Sequence, residues 1–195
     1  MDAILATDAN PHDEILLVSR AREGDRSAFA SLVDRYMRRA YFAALGLVGS
    51  PDDAMDLSQE AFARAFRARR SLDPERPFYA WLYTILRRLC FNFIRDKHSR
   101  RRKLEGASPW MVAQARARAA ESQPERSARA AEIRERVGTA IEELPDRERE
   151  MLVLKEFEGL KYREIAELVG VPIGTVMSRL YSARRRLARS LEDLA

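Results

Sequence analysis

Between Ile173 and Leu191 the chain carries five arginines, Arg179, Arg184, Arg185, Arg186 and Arg189, and no acidic residue. Val176, Leu180, Leu187 and Leu191 recur at steps of 4, 7 and 4, the spacing of one buried helical stripe. The remaining face shows Thr175, Ser178, Arg179, Ser182, Arg185 and Arg186, with Tyr181 and Arg184 at its edge. Guanidinium groups hold phosphates or read guanine bidentately, and hydroxyls do either. The early turns of such a helix usually reach base edges while flanking residues hold the backbone. The competing reading is an ordinary helical hairpin with a solvated charged outside.

Two further sets of residues carry different chemistry. Phe78, Tyr79, Trp81, Tyr83, Phe91 and Phe93 precede "RDKHSRRRK", residues 95–103, which has six basic residues against one acid. Aromatic rings beside cations suit unstacked bases and single-stranded backbone, although Trp81 and Phe93 taken alone fit a core better, since they lie on an apolar helical stripe. Asp52, Asp53, Asp56 and Glu60 crowd one short segment. A hard cation needs converging oxygen ligands, and His12 and His98 are isolated, so no metal is expected. Asp52 and Asp53 suit a helix N-terminus electrostatically; Asp56, Gln59 and Glu60 suit a protein partner.

The elements that position these groups read as helices throughout. A short amphipathic stretch, 13–22, ends at Gly24. Asp25 then caps a long helix whose apolar residues run from Phe29 to Val48 at helical spacing. Ser50 as N-cap, Pro51 at the first turn and two aspartates start another helix, to about Arg70. "SLDPERP", 71–77, is a proline-bracketed loop, and Pro77 opens a third long helix. Residues 104–128 lose periodicity and gather Gly, Ser, Pro and Gln, which predicts a linker, with Trp110 as a loop residue. Four more helices are expected over 130–144, 145–159, 161–170 and 171–191. The third and fourth, joined at Gly170 and Pro172, have helix-turn-helix spacing. The expected fold is all-α: two small helical domains, 10–103 and 129–193, joined by a flexible linker, the C-terminal one a helix-turn-helix.

Composition agrees. Of 195 residues 46% are hydrophobic and 33% charged, as in folded proteins rather than disordered ones. Charge is uneven: residues 1–60 hold 6 basic and 11 acidic side chains, whereas residues 61–131 hold 17 and 6. An acidic front and a basic middle imply two partners of opposite character. The opening "MDAILATDANPHDE" lacks a basic, apolar leader pattern, so no signal peptide is expected. The single cysteine, Cys90, rules out an internal disulfide and is expected in the core. No nucleophile–base pair, phosphate loop or metal spacing is present, so no catalytic residue, cofactor, small-molecule substrate or enzyme activity is expected.

The blocks "AFASLVDRYMRRAYFAAL", "DAMDLSQEAFARAFR", "PFYAWLYTILRRLCFNFIR" and "ELPDREREMLVLKEFEGLKYREIAELVGVPIGTVMSRLYSARRRL" together resemble the extracytoplasmic-function sigma factors, the minimal two-domain group of the sigma-70 family. The resemblance covers about residues 13–191. It implies a cytoplasmic, non-catalytic alternative sigma factor that lends promoter specificity to core RNA polymerase, under a cognate anti-sigma factor. It implies polymerase contacts at Asp56, Gln59 and Glu60. It implies that Leu72, Phe78, Trp81, Arg88, Asn92 and Arg95 serve the minus-ten element, with a flipped base held near the loop 71–77. It implies that Thr175, Ser178, Arg179, Tyr181, Ser182, Arg184 and Arg185 serve the minus-thirty-five element. The family often has asparagine at Arg88, and many relatives have arginine at Met177 and Ser182; these departures imply an altered base readout. Two rival readings remain: a dimeric helix-turn-helix repressor on a palindromic site, which leaves the aromatic–basic helix unexplained, and a sigma-like decoy that binds only an anti-sigma protein, which needs no positive recognition face.

Overall fold

The computed structural model describes residues 11–105 and 136–192, and the side chains of 12–100 and 136–192. The expected linker over 104–128, with Trp110, lies almost wholly outside the described residues.

The first three helices follow from local chemistry. Helix α1, Pro11–Glu23, places Asp13 and Glu14 in its first turn. Asp25 then accepts from the Ser27 and Ala28 amides at 2.8 and 3.0 Å and starts α2, Arg26–Val48. Gly49 ends α2 at φ 75°, a left-handed conformation that its missing Cβ permits. Ser50 accepts from the Asp53 amide and, with Pro51, opens α3, Pro51–Arg67. A 3₁₀ turn, Arg69–Ser71, takes the last residues that sequence spacing assigns to α3. Helix α4 spans Phe78–Glu105.

The N-terminus of α4 has a cap that sequence spacing does not reveal. Glu14, on α1, accepts from the Phe78 amide at 2.9 Å and from the Tyr36 hydroxyl. The carboxylate satisfies an orphan amide of α4, and burial together with this bond pushes the Tyr36 phenol up.

The C-terminal module begins with α5, described over 136–142. Helix α6, Asp146–Leu152, passes into a π turn, Val153–Phe157, where one continuous α-helix is expected from sequence. Helix α7, Tyr162–Val169, and α8, Ile173–Ser190, follow. No strand occurs among the described residues, and no helix among them is long and apolar enough to cross a membrane.

The core joins both modules. Leu32, Leu47, Leu82, Tyr83 and Leu86 from the first share one buried cluster with Met151, Leu154, Ile165, Val176 and Leu180 from the second. Nothing in the sequence pattern announces that contact. A smaller cluster, Leu144, Leu152 and Ala183, with Leu187 against it, fastens α8 to α5 and α6.

Candidate nucleic-acid interface

Gly170, at φ 71°, closes α7 with its amide on the Ala166 carbonyl, 2.9 Å. Pro172 then leads into α8, whose early amides at Thr175 and Val176 bond the Pro172 carbonyl. Ile165, Val176 and Leu180 are fully buried and fix the angle between the two helices. The outer side of α8 is thereby presented to solvent: Ser178, Tyr181, Arg184 and Arg185 are exposed, while Thr175, Arg179 and Ser182 are half-buried. Ser178 Oγ donates to the Thr175 carbonyl at 3.1 Å.

Two features of this face differ from expectation. Its charge is not uncompensated: Arg184 pairs with Glu156 at 2.6 Å and Arg186 with Glu148 at 3.0 Å, acids that α6 and the π turn bring across from more distant sequence. The face is also partly apolar. Ile173, Met177 and Tyr181, one turn apart, are 46%, 52% and 67% exposed.

On α4, Arg88 and Arg95 are exposed and Asn92 half-buried, and their i, i+4, i+7 spacing sets them in one row. Trp81 lies seven residues before Arg88, half-buried, its ring 6.0 Å from Phe78. Leu72 and Phe78 are only 3% and 1% exposed, so they support the surface from beneath. The loop between them is stiffened at Asp73, which accepts from the Glu75 amide and pairs with Arg76 at 3.3 Å. Tyr79 and Tyr83, which the sequence groups with base-stacking aromatics, are buried where the two modules meet and cannot stack on a base in this arrangement. Phe91 lies between the guanidinium groups of Arg87 and Arg147, 5.0 and 5.3 Å from its ring centre.

On α3, Asp56 and Gln59 are exposed beside Met55. Glu60 is held by its own helix, accepting from Arg64 at 2.7 Å and Arg67 at 3.3 Å. The Arg64 bond, before all other causes, holds its carboxyl below the usual range. Cys90 is fully buried, and burial pushes its thiol up to about 12, so no thiolate is available at neutral pH.

Sequence spacing misses a further set altogether. Glu150 is fully buried, bonded by Arg87 and by the Tyr83 hydroxyl, 3.3 Å. Glu158 is 3% exposed at its side chain and accepts from Arg39 at 2.5 Å, while the Arg39 guanidinium lies 3.8 Å from the Tyr79 ring centre. The available signal was Glu150 itself, a carboxylate directly abutting the apolar run Met151–Leu154.

The fold and these faces define a two-module helical protein whose second module offers a helix-turn-helix to duplex nucleic acid. A Sigma-70 region 2 family model matches residues 32–100, and a Sigma-70, region 4 model matches residues 134–187. RNA polymerase sigma-H factor of Pseudomonas aeruginosa is 33% identical over 180 residues, 91% of this chain and 93% of that protein. ECF RNA polymerase sigma factor SigW of Bacillus subtilis is 33% identical over 184 residues, 91% and 96% of the two chains. The solved structure of CnrH in complex with the cytosolic domain of CnrY superposes with a TM-score of 0.66 at 26% identity, covering 94% of this chain and 99% of that one. The chain belongs to the sigma-70 family, in its extracytoplasmic-function group. It is an alternative sigma factor, a factor of transcription initiation.

Proposed function

We propose that this sigma factor docks on core RNA polymerase through the exposed end of α3, holds the minus-thirty-five duplex with α8 and captures the melted minus-ten strand on α4. The observation that carries this reading is the pairing of two unlike surfaces in one chain. One is a helix-turn-helix face with Ser178, Tyr181, Arg184 and Arg185 open to solvent; the other is the row Arg88, Asn92 and Arg95 running from Trp81. Duplex affinity comes largely from phosphates, with base edges setting register. Extruding a base costs a few kcal/mol, and stacking with cation contacts returns roughly 1–3 kcal/mol per base. Strand capture therefore favours opening without a nucleotide-hydrolysis step, and the protein is a specificity factor rather than an enzyme. Its place of action is the cytoplasm, with the polymerase.

Asp56 and Gln59 are the free polymerase contacts on α3, and Glu60 joins them with part of its charge already taken by Arg64 and Arg67. Arg88 holds phosphate. A cognate anti-sigma factor controls the protein; the structure similar to it over nearly its whole length was solved with the cytosolic domain of a second protein. The test is in vitro transcription with bacterial core polymerase on a fragmented genome, reading start sites. Start sites that share two spaced upstream elements are expected. Stable polymerase binding with no new start sites would refute the proposal.

A further inference from the structure

We propose, building on that function, that Glu14 of α1 is a positioning residue for strand capture: it fixes the first turn of α4 and the loop 72–77 in the arrangement that holds an extruded base.

Helix α4 cannot cap itself. The residue before it is Pro77, whose side chain has no oxygen to offer the first amides. The Phe78 amide is bonded instead from across the fold, by Glu14 Oε1 at 2.9 Å, a residue 64 positions earlier. The other oxygen, Oε2, accepts from the Tyr36 hydroxyl, and Arg35 Nη1 lies 4.0 Å from it. The Glu14 side chain is only 18% exposed, so these bonds are largely shielded from competing water. Helix α1 thus supplies a carboxylate that α2 aims and α4 uses.

The loop is braced by the same hairpin at its other end. Leu72, where it begins, is buried, and its amide bonds the Arg69 carbonyl at 3.0 Å. The Arg69 guanidinium lies 4.6 Å from the Phe66 ring centre and reaches the turn after α1: a Cβ on Gly24 would be 3.8 Å from its Nη2. Residues 73–77 therefore hang between two points that α1 and its turn hold in place.

Trp81 inherits this placement. Phe78 is wedged among Phe29, Tyr36 and Trp81, with ring centres 6.3, 5.5 and 6.0 Å away. If the first turn of α4 frays, Phe78 shifts and Trp81, less than one turn on, shifts with it. Arg88, Asn92 and Arg95 lie farther along the helix, beyond the reach of that fraying. The cost of extruding a base and the return from stacking it are of similar size. Any fraction of time that the pocket spends out of place therefore lowers its apparent affinity by that fraction. Helix α1 belongs to the capture apparatus without touching DNA.

Holoenzyme assembled from core polymerase and the full-length chain tests this on two probes, both cut from a promoter that the wild type uses. One is a fork with the minus-ten element exposed as a single strand; the other is the minus-thirty-five duplex alone. Glu14→Ala is expected to weaken binding to the fork about tenfold, the equivalent of about 1.4 kcal/mol and typical of a lost helix cap. Binding to the duplex and to polymerase should not change. Glu14→Gln, which keeps an oxygen for the Phe78 amide, should recover most of the loss. Equal weakening on both probes, no weakening on the fork, or a glutamine variant as weak as the alanine one overturns the proposal. Wild-type holoenzyme that gains nothing from the exposed strand would instead remove the strand-capture reading, and the positioning role with it. Should Glu14→Ala not fold, Tyr36→Phe decides, since it deletes only the hydroxyl that aims the carboxylate. It is expected to weaken fork binding about threefold with the duplex unaffected, whereas equal fork binding overturns the proposal.

Discussion

Replacing Arg149 by leucine removes a side chain that ties four carbonyl groups together. Its Nε donates to Ile141 O at 3.1 Å, its Nη2 to Glu142 O and Leu144 O at 2.5 and 3.0 Å, and its Nη1 to Leu47 O at 2.6 Å. Three of these acceptors lie at or just past the C-terminal end of α5 and the fourth at the end of α2, where helices run out of backbone donors for their last carbonyls; of the four, Ile141 O also accepts from the Leu144 amide. The guanidinium is itself nearly buried, and desolvation lowers its pKa, so part of the gain from the bonds is offset. Leucine fills most of the volume but supplies no donor. Ile141 O keeps the Leu144 amide, 3.2 Å, so three acceptors lose their donor, and at about 1 kcal/mol each the loss is roughly 3 kcal/mol. For a chain of this size each kcal/mol moves Tm by about 2–4 °C, so the melting temperature should fall by about 6–12 °C. Scanning calorimetry on full-length protein measures it directly. Arg149→Lys, which keeps the charge but not the fork, should recover less than half of the loss. A fall below about 2 °C, or a lysine variant as stable as wild type, would show that water replaces the guanidinium without cost and that the accounting above is wrong.

Further outcomes concern the working surfaces. Asp56→Arg should weaken core polymerase binding by about 2 kcal/mol or more, roughly thirtyfold, while the added change Glu60→Arg should matter less, since Arg64 and Arg67 already claim that carboxylate; unchanged affinity in a polymerase pull-down refutes the α3 contact. Arg184→Ala should lower transcription but spare polymerase binding, and equal loss of both would end its assignment to DNA. Glu156→Gln, by freeing Arg184, should strengthen duplex binding and steepen its log–log salt dependence by about 0.9, one additional phosphate; an unchanged slope would mean the ion pair opens anyway on DNA. Ile173, Met177 and Tyr181 should touch thymine methyl groups in the major groove. Deoxyuridine in place of thymidine in the minus-thirty-five element should then weaken binding by about fourfold per contacted methyl, near 0.8 kcal/mol, and Met177→Ala should reduce that difference; insensitivity of the wild type to uridine would exclude the contact.

Much of this molecule follows from short-range chemistry. The cap at Asp25, the Ser50–Pro51 start and the stop at Gly49 need only neighbours within four residues, and so α2 and α3 could be placed from sequence. The helix-turn-helix was equally legible, since Gly170, Pro172 and the Val176–Leu180 stripe specify both the turn and the buried side of α8. The tertiary structure decided what sequence spacing could not. Tyr79 and Tyr83 look like stacking residues in one dimension, but the second module covers them. The arginine face of α8 looks uncompensated until Glu148 and Glu156 are folded beside it. Glu150 and Arg87 are 63 residues apart, and Glu158 and Arg39 are 119 apart. Periodicity determines which side of a helix is apolar because that depends on the helix's own geometry. Whether a charge on that helix is buried, paired or free depends on which distant surface arrives, and only the folded chain supplies that surface.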